Sequence, residues 1–150
     1  MLHNFYKRIS YERNTMNDPI RILLVEDEEI NNYIAARLIK KALPAAEVIY
    51  CQHGKEAIEL LSGMKRRSLT LPDYILLDIS MPIMNGWQFL DEYSKEKIDP
   101  EGKCTVFMLS SSVFSDDINR ARTYTEVKGF ISKPLNIAKI RELFSTEETV

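Results

Sequence analysis

The chain has 150 residues, of which 45% are hydrophobic and 28% charged, a composition typical of one globular domain with its own core. Its 20 basic and 22 acidic residues give a formal net charge of -2, so no cationic excess favours nucleic acid as a partner. The two cysteines form no CxxC and lie near no histidine cluster, which favours reduced buried thiols over a zinc site. No apolar run approaches the roughly 20 residues of a membrane span or resembles a secretion signal, so we expect a cytoplasmic protein without membrane contact.

The order of apolar runs along the chain predicts five strands. Residues 1–17 are polar and mildly basic, so we expect an extension outside the domain, with a basic amphipathic helix carrying Phe5 and Ile9 as the alternative. From Ile20 onward, short apolar runs alternate with helical periods. The predicted strands are IRILLV (20–25), EVIYC (47–51), YILLD (74–78), TVFML (105–109) and FIS (130–132).

A helical pattern follows each predicted strand. Ile30, Ile34 and Leu38, with Ile39 as a further candidate, share one face of the first helix. Trp87 lies in the third helix, where core packing and a place beside a functional site are the alternatives. The fourth helix, 116–124, is short and polar. Five strands each followed by a helix predict right-handed crossovers and a doubly wound α/β fold, with a parallel sheet and helices on both faces.

Polar residues at the carboxyl ends of these strands form the candidate site, because ligands of open α/β sheets bind there. Strand one ends in Glu26 and Asp27, strand three in Asp78, strand four reaches Ser110 and strand five Lys133. Each alone has an ordinary explanation, such as a solvated helix N-terminus, but their joint placement favours a site. Three carboxylates brought together repel one another unless a hard cation such as Mg2+ is shared among them. Such a pocket could accept a phosphoryl group on the nearest carboxylate, with Lys133 and Ser110 binding its oxygens.

Four segments carry a resemblance to a known family. These are LLVEDEE (23–29), PDYILLDISMPIMNGWQFL (72–90), VFMLSSS (106–112) and GFISKPL (129–135). In this order and spacing they resemble the CheY-like response-regulator receiver domain of two-component phosphorelay signalling. The resemblance implies a flavodoxin-like, five-stranded parallel sheet of strand order 2-1-3-4-5 with five helices. We expect the domain to span residues 18–145, followed by a tail at 146–150.

The resemblance also implies a role for each residue of the acidic pocket. Asp78 is expected to be the phosphoacceptor, taking a phosphoryl group as a nucleophile from a phosphohistidine. Asp27 is implied as a direct Mg2+ ligand, Glu26 as its neighbour acting largely through water, and the backbone carbonyl of Ser80 as another ligand. Lys133 is implied as the lysine that pairs with the phosphoryl group.

Further positions are implied to form the switch. Ser110 is the expected switch hydroxyl, and Phe130 the aromatic residue that turns inward when phosphate binds, although a buried strand aromatic is an equal alternative. Pro134 is a candidate for a cis peptide bond. Ser80 and Ser112 occupy positions that tune dephosphorylation across the family.

The resemblance implies protein partners on both sides of the phosphoryl transfer. We expect a sensor histidine kinase or a histidine phosphotransfer protein upstream. A downstream target would read the face of helix 4, strand 5 and helix 5; a role as phosphate relay or sink is the alternative. With the domain ending near Phe144, we expect a stand-alone regulator that is not an enzyme beyond its own phosphorylation and dephosphorylation.

Three other functions are less consistent with the sequence. A haloacid dehalogenase-type phosphohydrolase needs a second Asp two residues after its nucleophile, where this chain has Ser80. A nucleotide site would need a GxGxxG or GxxxxGK[ST] motif after the first strand. The remaining alternative is a receiver-like binding module that signals without phosphate.

Overall fold

A computed structural model describes residues 19–111 and 114–148 of the chain. The predicted N-terminal extension and Ser112 lie outside these ranges. The strands are β1 (Arg21–Val25), β2 (Glu47–Cys51), β3 (Tyr74–Asp78), β4 (Thr105–Ser110) and β5 (Val127–Ser132). The helices are α1 (Glu29–Ala42), α2 (Gly54–Arg66), α3 (Gly86–Lys95), α4 (Ser115–Ala121) and α5 (Ile137–Glu148).

The strands form one parallel five-stranded sheet in the order β2-β1-β3-β4-β5. This confirms the predicted fold class and strand order. Every residue of β1 is buried, and β3 is buried from its second residue onward. These two strands are central and covered on both faces, which is why their sequences are nearly continuous apolar runs rather than alternating patterns.

Two apolar clusters fill the space between the sheet and its helices. On one face α1 and α5 contribute Ile39, Ile140 and Phe144, all at most 1% exposed. On the other face α2 and α3 supply most of the helical side chains, including Met64 and Phe89. None of the helices within the described ranges is both long and apolar enough to cross a bilayer.

Helix α1 does not bury the apolar stripe that its sequence displays most clearly. Ile30 is 61% exposed and Ile34 is 49% exposed, whereas Asn32 and Ile39 are buried. Ala35, which is small, lies half-buried on the same packed side, so α1 contacts the core through alanines and Asn32 as well as through Leu38 and Ile39. The true stripe has helical spacing, but hydropathy alone gives little weight to alanine and asparagine.

Several element boundaries differ from those predicted. β5 begins at Val127 rather than at residue 130, because it pairs with β4 across an irregularity between Val106 and Phe107. α5 begins at Ile137 and continues to Glu148. Helix α4 is short as predicted, and of the residues described in it Ala121 alone is buried.

Candidate functional site

The candidate site lies at the carboxyl edge of the sheet, where four parallel strands end side by side. Hydrogen bonding between strands continues one residue beyond the ends of β1 and β3. The amide of Glu26 donates to the carbonyl of Cys51 at 3.1 Å, and the amide of Ile79 donates to the carbonyl of Leu109 at 3.2 Å. Residues that leave β1 and β3 are therefore held in register. The edge has the location that the sequence predicted for a ligand site.

Three carboxylates meet at this edge. Glu26, Asp27 and Asp78 each offer an oxygen, and these oxygens lie within 4.8 Å of one another. Glu26 is 5% exposed and Asp78 4% exposed, while Asp27 is half-buried. Like charges this close repel strongly where water cannot screen them, so the group favours a bound cation.

Lys133 supplies one such cation. Its Nζ donates to Oε2 of Glu26 at 2.8 Å and lies 3.1 Å from Oδ2 of Asp78. The backbone amide of Lys133 donates to the carbonyl of Ser110 at 2.9 Å, which ties the end of β5 to the end of β4. The Lys133–Pro134 peptide bond is cis. Lys133, which follows β5, thus contacts carboxylates at the ends of both β1 and β3.

The pKa values follow from this arrangement. Burial and the charge of Glu26 raise the pKa of Asp78 to about 6, although Lys133 partly offsets both. Burial disfavours the charge on Glu26, but hydrogen bonds from Lys133 and Asn31 outweigh it and lower the pKa of Glu26. Burial likewise opposes the charge on Lys133, but the hydrogen bond to Glu26 and the charge of Asp78 raise its pKa. The lysine stays protonated and faces more negative charge than it can neutralise.

The set of donor atoms fits Mg2+. All three carboxylates offer hard oxygen atoms, with no thiolate or imidazole among the described residues of the cluster. The amide of Ser80 donates to Oδ1 of Asp78 at 3.2 Å, so the predicted carbonyl ligand lies in the loop directly after β3. Its role as a ligand stays a prediction.

The two predicted switch residues lie on strands next to the acidic group. Ser110 ends β4 and is buried, at 9% exposure. Phe130 pairs in register with Met108 of β4 and packs, half-buried, against the cluster under α2 and α3. The predicted movement of either residue stays a hypothesis.

Gly86 lets β3 and helix α3 approach closely. A Cβ at this position would lie 2.8 Å from the carbonyl oxygen of Asp78, and the Gly86 amide donates to the carbonyl of Ile79 at 2.9 Å. Asn85 and Gln88 form a reciprocal capping box that begins α3 at this point. The sequence indicated a turn here, but it did not indicate that the turn packs against the backbone of Asp78.

Trp87 packs in the core rather than against the carboxylates. It is buried, its ring stacks on Tyr124 at 5.9 Å between centroids, and the guanidinium of Arg120 lies 4.8 Å from its centroid. Of the two alternatives left by the sequence, core packing describes its place. These contacts join α3 to the end of α4.

Two asparagines that sequence reasoning missed support Glu26. Asn32 is fully buried and its Nδ2 donates to the backbone carbonyl of Glu26 at 2.8 Å. Nδ2 of Asn31 donates to Oε1 of Glu26 at 3.2 Å. The available signal was an amide pair five residues after the acidic pair, within a predicted amphipathic helix.

The fold and this site define a class of protein: a doubly wound α/β domain with an acidic, oxygen-lined pocket and a paired lysine at the strand ends. The family model described as response regulator receiver domain matches residues 22–145, and the chain belongs to that family.

Similar proteins agree with this assignment. A two-component response regulator structure from Cytophaga hutchinsonii is 27% identical, with a TM-score of 0.77, and covers 89% of this chain and 100% of that one. The receiver domain of the Arabidopsis thaliana histidine kinase CKI1, solved with Mg2+ and BeF3-, is 27% identical, with a TM-score of 0.68 over 84% of this chain and 90% of that one. The probable methanogenesis regulatory protein FilR2 of Methanothrix harundinacea is 26% identical over 83% of this chain and 78% of its own length. For other curated relatives the match spans only 7% to 40% of their length.

Proposed function

We propose that Asp78 accepts a phosphoryl group from a phosphohistidine in a Mg2+-dependent reaction, and that the chain signals as a response regulator. The observation that carries this proposal is the position of the Asp78 carboxylate, within 4.8 Å of two further carboxylates and 3.1 Å from Lys133. An ordinary structural aspartate would be paired with one cation rather than set among like charges. The arrangement is suited to binding a group that is itself anionic and is bridged by cations.

The proposed step is a simple displacement at phosphorus. An oxygen of Asp78 forms a P–O bond as the P–N bond of phosphohistidine breaks, and the imidazole leaves with the electron pair. Bound Mg2+ would neutralise developing charge on the phosphoryl oxygens. Lys133 would shift its hydrogen bonding from the carboxylates to one of those oxygens, and Ser110 would donate to another. Because Lys133 is already protonated, no proton has to be delivered to it first.

Intact-mass analysis after incubation with acetyl phosphate tests the proposal. We expect one phosphoryl adduct on the wild-type chain in Mg2+, and none in EDTA. Asp78→Asn should give no adduct, while Asp116→Asn, an exposed carboxylate on α4, should behave as wild type. A folded wild-type protein that takes no phosphoryl group from several donors would favour the phosphate-independent binding module instead.

We infer that the exposed side of α1 contacts the upstream phosphodonor. Ile30, Tyr33 and Ile34 are at least 49% exposed, and α1 begins directly after the acidic pair. A phosphohistidine that reaches Asp78 must bring its carrier protein close to this surface, and contiguous exposed apolar side chains mark interaction sites. Ile34→Ser should slow transfer from a phosphorylated histidine-phosphotransfer domain while leaving acetyl phosphate labelling unchanged. Equal rates from the protein donor would contradict this contact.

We propose that output is a population shift at the face of α4, β5 and α5. Ser110 and Phe130 lie on β4 and β5 beside this face, so movement of the hydroxyl toward a phosphoryl group would change the space open to the aromatic ring. Amide spectra of α4 and β5 recorded with Mg2+ and BeF3- should differ from those with Mg2+ alone. Identical spectra would rule out this mechanism and leave a relay or sink as the role of the chain.

A further inference from the structure

Lys139, in the first turn of α5, donates hydrogen bonds to the loop that carries Lys133. Its Nζ donates to the carbonyl of Ser132 at 2.9 Å, to the hydroxyl of Ser132 at 2.9 Å and to the carbonyl of Pro134 at 3.0 Å. An ammonium group has three N–H donors, so all of them are engaged. The acceptors are uncharged and belong to the residues immediately before and after Lys133.

The backbone is held by the sheet before Lys133 but not in the same way after it. Ser132 ends β5, where it pairs in register with Ser110 of β4, whereas Pro134 has no amide hydrogen to donate. The Lys133 amide is held by Ser110, but α5 begins only at Ile137. The start of α5 is itself fixed, since the amide of Lys139 donates to Oδ1 of Asn136 at 2.8 Å. Lys139 therefore ties the Lys133 backbone to a capped helix.

The position of this backbone decides where the Lys133 ammonium can reach. A lysine side chain has a flexible four-carbon stem, so its Nζ can take many positions around the Cα. A small shift of the Cα therefore changes which positions Nζ can reach. Nζ of Lys133 must lie near Glu26 and Asp78 together, at 2.8 Å and 3.1 Å. Freeing the loop would broaden the distribution of Nζ and weaken both contacts.

We propose that Lys139 is a positioning residue for Lys133, holding its ammonium over the acceptor carboxylate. The proposal rests on the proposed phosphoacceptor function, which it deepens. Lys139 acts through backbone contacts and does not touch the reacting atoms. Its effect should therefore appear only while Lys133 is present.

Lys40 provides a matched control. Its Nζ donates to the carbonyls of Pro44, at 3.0 Å, and Ala46, at 2.7 Å, in the loop between α1 and β2. It is also a helical lysine that fixes loop carbonyls, but it does so next to the start of β2, at the opposite end of the strands from the acidic group. A general loss of loop support should affect both lysines alike.

The first measurement needs no phosphoryl group. Wild type, Lys139→Met and Lys40→Met are treated briefly with an amine-reactive reagent in EDTA, and the modification of Lys133 is quantified by peptide mapping. We expect Lys133 to react several-fold faster in Lys139→Met and at the wild-type rate in Lys40→Met. Lys139→Arg, which keeps a charged donor, should restore much of the protection.

The second measurement is a double-mutant cycle on the affinity for BeF3- in saturating Mg2+, measured by calorimetry. Lys139→Met should weaken BeF3- binding about tenfold, as loss of an outer-sphere support commonly does, with Mg2+ affinity changed less than about twofold. In a Lys133→Met background the same substitution should cause no further loss. If Lys139→Met does not fold, Lys139→Gln takes its place in both measurements.

The outcomes separate the two proposals. Unchanged Lys133 reactivity, or an equal loss of BeF3- affinity in the Lys133→Met background, would overturn the positioning role. Faster Lys133 modification in Lys139→Met, in a protein whose wild type binds no BeF3-, would uphold the positioning role and overturn the phosphoacceptor function.

Discussion

Asp78 is a buried carboxylate whose charge is unfavourable in the metal-free fold. The raised pKa of about 6 contrasts with the ordinary value of about 3.9 for an exposed aspartate. Burial is the largest cause and the charge of the neighbouring Glu26 the second, and Lys133 offsets them only in part. The charged form of Asp78 therefore carries an electrostatic cost that a second cation would relieve.

Asp78→Asn should accordingly stabilise the metal-free protein. The Asp78 carboxyl ionises near pH 4 in the unfolded chain but only near pH 6 in the folded one. Its charge therefore does not destabilise the fold below a pH of about 4, destabilises it increasingly as the pH rises, and has its full effect above a pH of about 6. In EDTA at pH 7.5 we expect the free energy of unfolding to rise by on the order of 1 to 3 kcal/mol, and by less at pH 4.5. Denaturant titrations of Asp78→Asn and Asp116→Asn at both pH values measure this. A destabilised Asp78→Asn variant at pH 7.5 would contradict the electrostatic account.

The close contact between Gly86 and the backbone of Asp78 predicts that a larger residue at position 86 would clash. An added methyl group would lie 2.8 Å from the Asp78 carbonyl, a backbone atom that cannot move aside without shifting the site. Gly86→Ala should cost about 1 to 3 kcal/mol of stability and also slow labelling by acetyl phosphate. Gly129→Ala is the matched control, since its methyl group would meet only a ring carbon of Phe107 at an ordinary 3.9 Å. Thermal unfolding of the two variants compares them directly.

At the scale of elements, α1 has two apolar sides, of which one is buried and the other is exposed. Its packed side carries Ile39 against the sheet, and the opposite side leaves Ile30 and Ile34 in water. The sequence pattern predicted a helix here with Ile30, Ile34, Leu38 and Ile39 on one face, and of these four Leu38 and Ile39 pack against the core. Asn32 also lies on the packed side, where its contribution comes from a hydrogen bond to Glu26 rather than from hydropathy.

Two isoleucine substitutions distinguish these sides. Ile39→Ala removes a fully buried side chain and should destabilise the domain by about 2 to 5 kcal/mol. Ile34→Ala removes one that is half in solvent and should change stability by less than about 1 kcal/mol. Chemical denaturation of both proteins under one set of conditions suffices. Equal losses would mean that the exposed side is buried in solution, for example in a self-association.

The strands were more predictable than the helices because they are buried on both faces. Continuous apolar runs such as RILLV and YILLD mark central parallel strands, and the polar residues after them mark the site. β5 was predicted too short, since Val127 and Gly129 carry little signal by themselves. The contacts of Asn32 and Lys139 depend on the distance between separate elements, which no local pattern encodes.

At the scale of the whole molecule, the reactivity of the two buried cysteines shows whether the core is intact. Both are buried in the core, and burial raises the pKa of Cys104 to about 12 and that of Cys51 further. The reactive thiolate is therefore scarce in the folded state at neutral pH. A disulfide reagent at pH 8 should modify neither thiol at an appreciable rate until denaturant unfolds the chain, and then both. Rapid reaction of one thiol in the native protein would indicate local opening around it.

The bond between Glu26 and Lys133 spans 107 positions of the chain. During synthesis the acidic cluster leaves the ribosome long before its lysine does, and β5 must join the sheet before the two meet. If Asp78 accepts a phosphoryl group as proposed, a nascent or partly unfolded copy would hold this aspartate without the lysine that pairs with it. Under that proposal the long-range pairing would make phosphorylation depend on the completed fold, because the last strand has to join the sheet first.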